Sequence, residues 1–264
     1  MMGKDQITVV ILGSGTCVPT GKRGPSSTAL IAPDGIVLVD AGSGALEKLA
    51  RCGFSWEKVR AIFLTHFHVD HTSDLSLFLF AANYAPGKRR REPLELIGPE
   101  GLGDFVRRLV SLYRWVEPRE YDLLLREGAR PEGKVGEFLS FRTCPALHGD
   151  GRALSVRFDS PWGSVTISGD TGENDELVAL AEGSDLLVIE ASFPDDSTAG
   201  DGHLSPAAAG RIARKAGVKK VVLTHLYPET ASRDPKSACA AQVEVPVIVA
   251  HDLLRLTLSA TSNI

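Results

Sequence analysis

LTHFHVDHTSD, residues 64–74, is the stretch from which the fold can be predicted. His66, His68, Asp70 and His71 fall within six consecutive positions of it. Imidazole and carboxylate groups are ligands that zinc accepts in catalytic sites. A lone histidine is more often structural than functional. Four such groups this close together would be poorly satisfied without a metal, so the stretch predicts a metal site.

The histidine stretch follows a predicted strand, residues 59–64 (VRAIFL). Functional groups often lie on loops that the ends of strands hold in place. Alternation after the strand points His66 and His68 to one side. The following turn can bring Asp70 and His71 round to a second centre.

Composition is that of an ordinary soluble protein, with 264 residues, 43% of them hydrophobic and 23% charged. No apolar run approaches the ~20 residues that span a bilayer, so we expect no membrane association. The four cysteines are far apart and form no CxxC pair, which fits free thiols in a reducing cytoplasm. The net charge of −4 gives no overall basic field for nucleic acid. The one basic cluster, residues 88–91, is interpreted as a solvated loop in preference to a phosphate-binding patch.

The rest of the chain alternates predicted strands and helices. Gly13-Ser14-Gly15 is not a dinucleotide-binding loop, because the third glycine is missing and prolines prevent the following helix. No linker or change in composition divides the chain, so we predict one domain over residues 1–264, an α/β fold with helices outside layered sheets. Strands are predicted at 6–12, 28–32, 36–39, 59–64, 94–97, 165–168, 186–190, 220–224 and 245–250, and helices at 45–52, 74–84, 100–114, 173–181 and 205–216.

The sequence resembles the metallo-β-lactamase superfamily of binuclear metallohydrolases, whose signature is HxHxDH followed by a later His, Asp and His. PALHGDG, TISGDTG and VLTHLYP supply these in order, as His148, Asp170 and His225. The resemblance implies an αββα sandwich and a bridging role for Asp170, which on its own could equally cap a helix at 171–180. Asp40, in VLVDAGSG, is implied to orient ligands without binding metal. The implied ligands are His66, His68 and His148 for one metal, and Asp70, His71 and His225 for the other.

Within the superfamily the chain looks most like the ribonuclease Z branch of phosphodiesterases. The resemblance rests on LGSGTCVPTGKRGPSS, LELIGPEGL, SGDTGENDELVALAEGSDLLVIEASF and GHLSPAAAGRIARKAGVKKVVLTH. It implies that Glu190 and His203 form a pair beside the metals, with His203 donating to a phosphoryl oxygen or leaving group and Glu190 holding its ring. The competing interpretation is that His203 caps a helix starting near Pro206. His251 matches no ligand motif, and we assign it a structural role.

Three departures from that branch bear on the substrate. Only 21 residues separate His148 from Asp170, enough for a hairpin (153–159 with 163–168) and not for the branch's tRNA-gripping arm. Gly24 stands where asparagine is typical, and Val69 replaces a small residue. Together with the acidic net charge, these favour a small phosphodiester over RNA.

The predicted function is therefore phosphodiester hydrolysis by a hydroxide bridging two divalent metals. Zinc is the preferred metal, and manganese and iron are alternatives. Asp70 would accept a proton from the nucleophile and His203 would pass one to the leaving group. The alternatives are a tRNA 3′-processing endonuclease, a lactonase or aryl sulfatase type of hydrolase, and a non-catalytic metal-binding module. A homodimer is implied by resemblance alone.

Overall fold

Two mixed β-sheets form the centre of the molecule. The computed structural model describes residues 5–195 and 202–259. In this part of the chain each sheet has seven strands, and the first has the order β14-β1-β2-β3-β4-β5-β6. Its strands are β1 (Gln6–Gly13), β2 (Ser27–Ala32), β3 (Gly35–Val39), β4 (Val59–Phe63), β5 (Leu94–Gly98), β6 (Leu123–Glu127) and β14 (Leu254–Ser259).

The second sheet has the order β13-β12-β11-β10-β9-β8-β7. Strands β10 to β13 are parallel to one another, and β7 to β10 run antiparallel. Its strands are β7 (Gly133–Val135), β8 (Leu139–Ala146), β9 (Ala153–Ser160), β10 (Gly163–Ile167), β11 (Leu186–Glu190), β12 (Val221–Thr224) and β13 (Val247–Val249).

Helices cover the outer face of each sheet. On the first sheet they are α1 (Ala45–Arg51), α2 (Val69–Tyr84) and α3 (Leu102–Leu112). On the second they are α4 (Asp175–Ala181), α5 (Pro206–Ala216), α6 (Pro228–Ser232) and α7 (Pro235–Ala240). Short 3-10 helices lie at Trp56–Lys58 and Arg114–Val116.

Three apolar cores separate these layers, and alternation along the strands creates them. In β1, Val9 and Ile11 face the core between the two sheets, whereas Val10 and Leu12 face the core under α1, α2 and α3. A third core lies between the second sheet and its helices. Because successive strand residues point to opposite faces, apolar residues at every position bury both faces of a sheet. The predicted αββα sandwich is confirmed.

The start of one predicted helix was wrong, and one edge strand was missed. The helix expected to start at residue 74 begins at Val69, inside the histidine stretch, with His68 as its N-cap residue. The negative charge of Asp70 in the first helical turn favours this start, because a helix N-terminus carries partial positive charge. Strand β14 was not predicted. It pairs antiparallel with β1 at the sheet edge, and its side chains are half-buried or exposed.

The hairpin expected between His148 and Asp170 is present as β9 paired antiparallel with β10. The basic cluster lies in a loop, as predicted, and its exposed residues Lys88, Arg89 and Arg91 pair with Glu57 or Glu120. Arg90 differs from this interpretation, because it is buried and donates to backbone carbonyls. Among the described residues, no helix has the length and apolar character needed to span a bilayer.

Candidate metal centre

The candidate site lies where strands of both sheets end. His66 follows β4 in the first sheet, and Asp40 follows β3 beside it. From the second sheet, His148 follows β8, Asp170 follows β10 and His225 follows β12. Loops at strand ends hold these side chains on a rigid support, so residues far apart in sequence meet at one place.

The first donor group contains His66, His68, His148 and Asp170, whose ligand atoms lie within 4.8 Å of one another. His68 Nδ1 and His148 Nε2 are 3.2 Å apart, and Asp170 Oδ2 lies 3.8 Å from His66 Nε2. Three imidazoles and a carboxylate converging in this way are a donor set that suits zinc.

The second donor group contains Asp70, His71 and His225, again with ligand atoms within 4.8 Å. Asp170 Oδ2 lies 3.3 Å from His71 Nε2 and 3.4 Å from His225 Nε2. Asp170 is therefore close to both groups, and the structure brings all seven predicted ligands together.

Hydrogen bonds on the outer side of the rings fix which nitrogen faces the centre. His71 Nδ1 is 2.7 Å from Asp40 Oδ2, and His148 Nδ1 is 2.9 Å from the Gly202 carbonyl oxygen. Both partners accept, so each Nδ1 carries a proton and each Nε2 is the nitrogen that faces the centre. Partners of this kind orient metal-binding histidines and fix their tautomer.

His66 provides a direct test of whether a cation fits. Its Nε2 is buried and has no hydrogen-bond partner among the described residues, while its Nδ1 lies 3.0 Å from the Thr65 hydroxyl. Burial, followed by the nearby His71, lowers the pKa of His66 to about 2, so the ring is neutral. A buried, unpaired and neutral ring nitrogen among carboxylates is a site that a divalent metal ion would satisfy.

The carboxylates carry the compensating negative charge. Burial alone would raise the pKa of Asp70, but the neighbouring His225 and the charge of His71 lower it to about 2. Burial would also raise the pKa of Asp170, yet His225 and His71 hold it well below its usual range. In turn, Asp170 and Asp40 raise the pKa of His71 against the effect of burial. The cluster thus places ionised carboxylates against imidazole rings.

Unusual backbone geometry at the strand ends positions the side chains of the site. Asp40 and His225 have φ values of +61° and +52°, in the left-handed region that non-glycine residues seldom adopt. Gly169 precedes Asp170 with φ +59°, and a Cβ there would lie 2.9 Å from Thr65 Cβ. A glycine is needed at position 169 for the chain to turn and present the Asp170 carboxylate.

The predicted Glu190–His203 pair is present beside the two donor groups. Glu190 is fully buried, and its Oε1 accepts from His203 Nδ1 at 2.9 Å. Burial alone would lower the pKa of His203, but the hydrogen bond and charge of Glu190 raise it. The His203 ring lies parallel to His225, with 5.8 Å between centroids. His203 can therefore hold a proton next to the predicted metal ligands.

The competing capping interpretations are wrong. The helix after Asp170 begins at Asp175 and is capped by Asn174, whose side chain accepts from Leu177 N. The helix after His203 is capped by Ser205. His251 is exposed, and its Nδ1 lies 2.9 Å from the backbone oxygen of Asp252, outside both donor groups.

Two hydroxyl residues of the site were missed by the sequence analysis. The Thr65 hydroxyl donates to Asp40, and the Ser192 hydroxyl lies between Glu190 and His225. The available signal was their position, since Thr65 directly precedes the first histidine of its motif and Ser192 lies within EASF. Asp40 is 25 positions from Thr65 and His225 is 33 positions from Ser192, so only the structure reveals these two contacts.

Comparison with known proteins gives a consistent result at the sequence level. A family model described as a beta-lactamase superfamily domain matches residues 36–226. Ribonuclease Z of Pseudomonas putida (strain GB-1) is 30% identical, over 95% of this chain and 96% of that protein. Ribonuclease Z of Methanothermobacter thermautotrophicus is 28% identical, over 96% of this chain and 97% of that protein.

Solved structures share the fold. The metallo-beta-lactamase fold protein YhfI from Bacillus subtilis has a TM-score of 0.82 and 23% identity, covering 96% of this chain and all of that one (100%). The short form of human tRNase Z has a TM-score of 0.78 and 23% identity, covering 94% of this chain and 98% of that one.

Proposed function

The chain belongs to the beta-lactamase superfamily, on its ribonuclease Z branch, and from this we propose a two-zinc phosphodiesterase that acts on small phosphodiesters. Metal-dependent hydrolysis follows from the family and from the His/Asp cluster. The two-ion count, zinc as the metal, one hydrolase domain over residues 1–264 and assembly as a homodimer are parts of the proposal. The Glu190–His203 pair beside the donor groups carries it.

The proposed ligands divide as the donor groups do. His66, His68 and His148 would hold one ion, Asp70, His71 and His225 the other, and Asp170 would contact both. When bound, two divalent ions acidify water and offset the charge that develops on a phosphate in the transition state.

The protein's own residues would move the protons. With a pKa lowered to about 2, Asp70 is ionised near neutral pH and can accept a proton from the attacking water. His203 donates from Nδ1 to Glu190, so its second proton resides on Nε2. That Nε2–H would be given to the departing oxygen. Glu190 does not touch the substrate in this scheme and acts by holding the ring and raising the pKa of His203.

Surface features support a small substrate. The segment between His148 and Asp170 contains only the β9–β10 hairpin. Arg23, in the loop that resembles the branch's Pro-x-x-Lys-Arg feature, donates to Ser14 Oγ and to the backbone oxygen of Ala250. Val69, between two proposed ligands, is 71% exposed, so the side chain that faces the solvent there is apolar and not a cation. A polyanion such as RNA is instead held by cations that face the solvent.

Precursor tRNA is the second candidate, because the curated relatives that match most of the chain are named ribonuclease Z. The two functions predict opposite rankings of kcat/KM. We expect bis(p-nitrophenyl) phosphate to be cleaved at an appreciable rate and precursor tRNA at its 3′ end slowly or not at all. An acyl lactone and an aryl sulfate complete the substrate panel.

Three variants test the site assignment. His68→Ala and Asp170→Ala should each lose bound metal and activity. His203→Ala should keep the metal, and its turnover should fall about 10²- to 10⁴-fold, the contribution typical of a general acid. His251→Ala is the matched control, because this exposed histidine belongs to neither donor group.

Metal content is measured by elemental analysis of each purified variant. Metal and activity that persist in His68→Ala or Asp170→Ala would show that the ligands are wrongly assigned. Loss of metal in His203→Ala would overturn its role as the acid. No hydrolysis of any panel substrate with two metals bound would favour a non-catalytic binding module.

A further inference from the structure

Ser192 lies at the junction between a proposed metal ligand and the proposed acid. It follows β11 by two residues and is fully buried. Its Oγ is 2.5 Å from Glu190 Oε2 and 2.9 Å from His225 Nδ1. His203 Nδ1 lies further away, at 3.4 Å.

The direction of these hydrogen bonds follows from proton counting. An ionised carboxylate only accepts, so the single hydroxyl proton of Ser192 is donated to Glu190. The Ser192 oxygen must then accept from His225, which places the His225 proton on Nδ1. His225 Nε2 is left with a free lone pair.

That free nitrogen faces the proposed metal position. His225 Nε2 lies 3.4 Å from Asp170 Oδ2, 3.7 Å from Asp70 Oδ2 and 3.3 Å from His71 Nε2. The opposite tautomer would point a hydrogen at this position and leave no lone pair for a cation. Ser192 thus does for His225 what Asp40 does for His71.

Glu190 connects this ligand to the acid. Oε1 accepts from His203 Nδ1 and from Thr171 N, while Oε2 accepts from Ser192 Oγ and from Leu204 N. One buried carboxylate therefore orients His203 directly and His225 through the serine.

We propose that Ser192 is a positioning residue that fixes His225 with Nε2 toward the metal and links this ligand to the Glu190–His203 pair. The inference rests on the proposed metal site and adds to it a residue that touches neither metal nor substrate. Removing the hydroxyl leaves the His225 Nδ1–H without its acceptor. Loss of such an outer partner typically weakens metal binding about 10- to 100-fold.

The test measures metal affinity, with activity as a separate readout. Zinc is titrated into the metal-free full-length protein in competition with a chromophoric chelator. Ser192→Ala should weaken one of two zinc-binding steps by about 10-fold or more. Ser192→Thr retains a hydroxyl and should restore most of that affinity.

Ser155→Ala is the matched control, because Ser155 is also fully buried but its hydroxyl donates to the backbone oxygen of Ser168. It should leave both zinc-binding steps unchanged. The proposal is overturned by unchanged affinity in Ser192→Ala, by an equal loss in Ser155→Ala, or by a folded Ser192→Thr that binds as weakly as Ser192→Ala. Failure of the unmodified protein to bind zinc would instead refute the proposed function.

Discussion

Two buried carboxylates in the site hold histidine side chains in place by accepting hydrogen bonds from them. Asp40 accepts from His71 and from the backbone and hydroxyl of Thr65. Glu190 accepts four hydrogen bonds, including the one from His203. A carboxylate surrounded by donors in this way has little capacity left for a metal. These two residues therefore set the orientation and protonation of other side chains.

Glu190→Gln should change the pH dependence of turnover. Glu190 raises the pKa of His203, so His203 stays protonated to higher pH and activity is lost as the pH rises through this raised pKa. Without the carboxylate charge, the pKa of His203 falls, and the alkaline limb of the kcat profile should move to lower pH. The profile is measured with bis(p-nitrophenyl) phosphate at saturating zinc.

Glu176→Gln serves as the control for the pH experiment, because Glu176 is exposed and pairs with Arg130 outside the site. Its profile should overlay that of the unmodified protein. If the alkaline limb of Glu190→Gln also stays in place while the metal content is unchanged, His203 is not the group that loses its proton there.

What the sequence allowed us to predict at this scale depended on residue type. Histidine and aspartate have few other reasons to cluster, so the composition and spacing of residues 64–74 pointed to the ligands. Serine and threonine occur everywhere, and the contact from Ser192 to His225 spans 33 positions. The roles of such hydroxyls depend on geometry, which residue type does not encode.

Among the strands and helices, buried strands were easier to predict than an edge strand or the start of a helix. Buried strands such as β1 and β11 are continuous β-branched or aliphatic runs, and β11 was predicted with its observed ends, Leu186–Glu190. Strand β14 alternates apolar and polar residues at a sheet edge, and its identity depends on pairing with β1. Helix α2 begins inside a motif that was interpreted only for its ligands. Pairing with β1 defines strand β14, and the N-cap at His68 defines the start of α2.

Strand β4 carries an aromatic anchor just before the histidine motif. Phe63 is fully buried, and its ring packs edge-on against Phe141 and Phe158 of the opposite sheet, at 6.2 and 6.5 Å between centroids. Phe63→Ala should lower the free energy of unfolding by about 3–5 kcal/mol, since the substitution leaves a cavity between the sheets. Denaturant unfolding of the chelated protein measures this without a contribution from metal.

Phe80→Ala is the corresponding surface control. Phe80 is 44% exposed on α2 and stacks partly on Tyr84, so its loss should cost only about 1 kcal/mol. If the two substitutions lower the free energy of unfolding equally, the aromatic contact between the sheets contributes no more to stability than the surface contact.

In the molecule as a whole, the candidate site joins the two sheets. On the first sheet's side, the segment between β4 and α2 supplies His66 and His68, and the first turn of α2 supplies Asp70 and His71. On the other side, strands of the second sheet are followed by His148, Asp170 and His225. Both donor groups combine residues from the two sides. The order of strands along the chain could be predicted, but the facing of the two sheets depends on long-range packing that no local pattern reports.

Metal binding should therefore stabilise the whole fold. A ligand that binds only the native state adds RT ln(1 + [L]/Kd), about 2.7 kcal/mol per site at a concentration of 100 Kd. For a chain of this size that corresponds to a Tm increase of roughly 5–10 °C per site. Thermal unfolding after removal of metal with a chelator, and again after stepwise addition of zinc, measures the increase. Asp170→Ala should show little response to zinc, because it removes a carboxylate that lies close to histidines of both donor groups. If addition of zinc does not change the Tm of the unmodified protein, metal binding at these ligands does not hold the two sheets together.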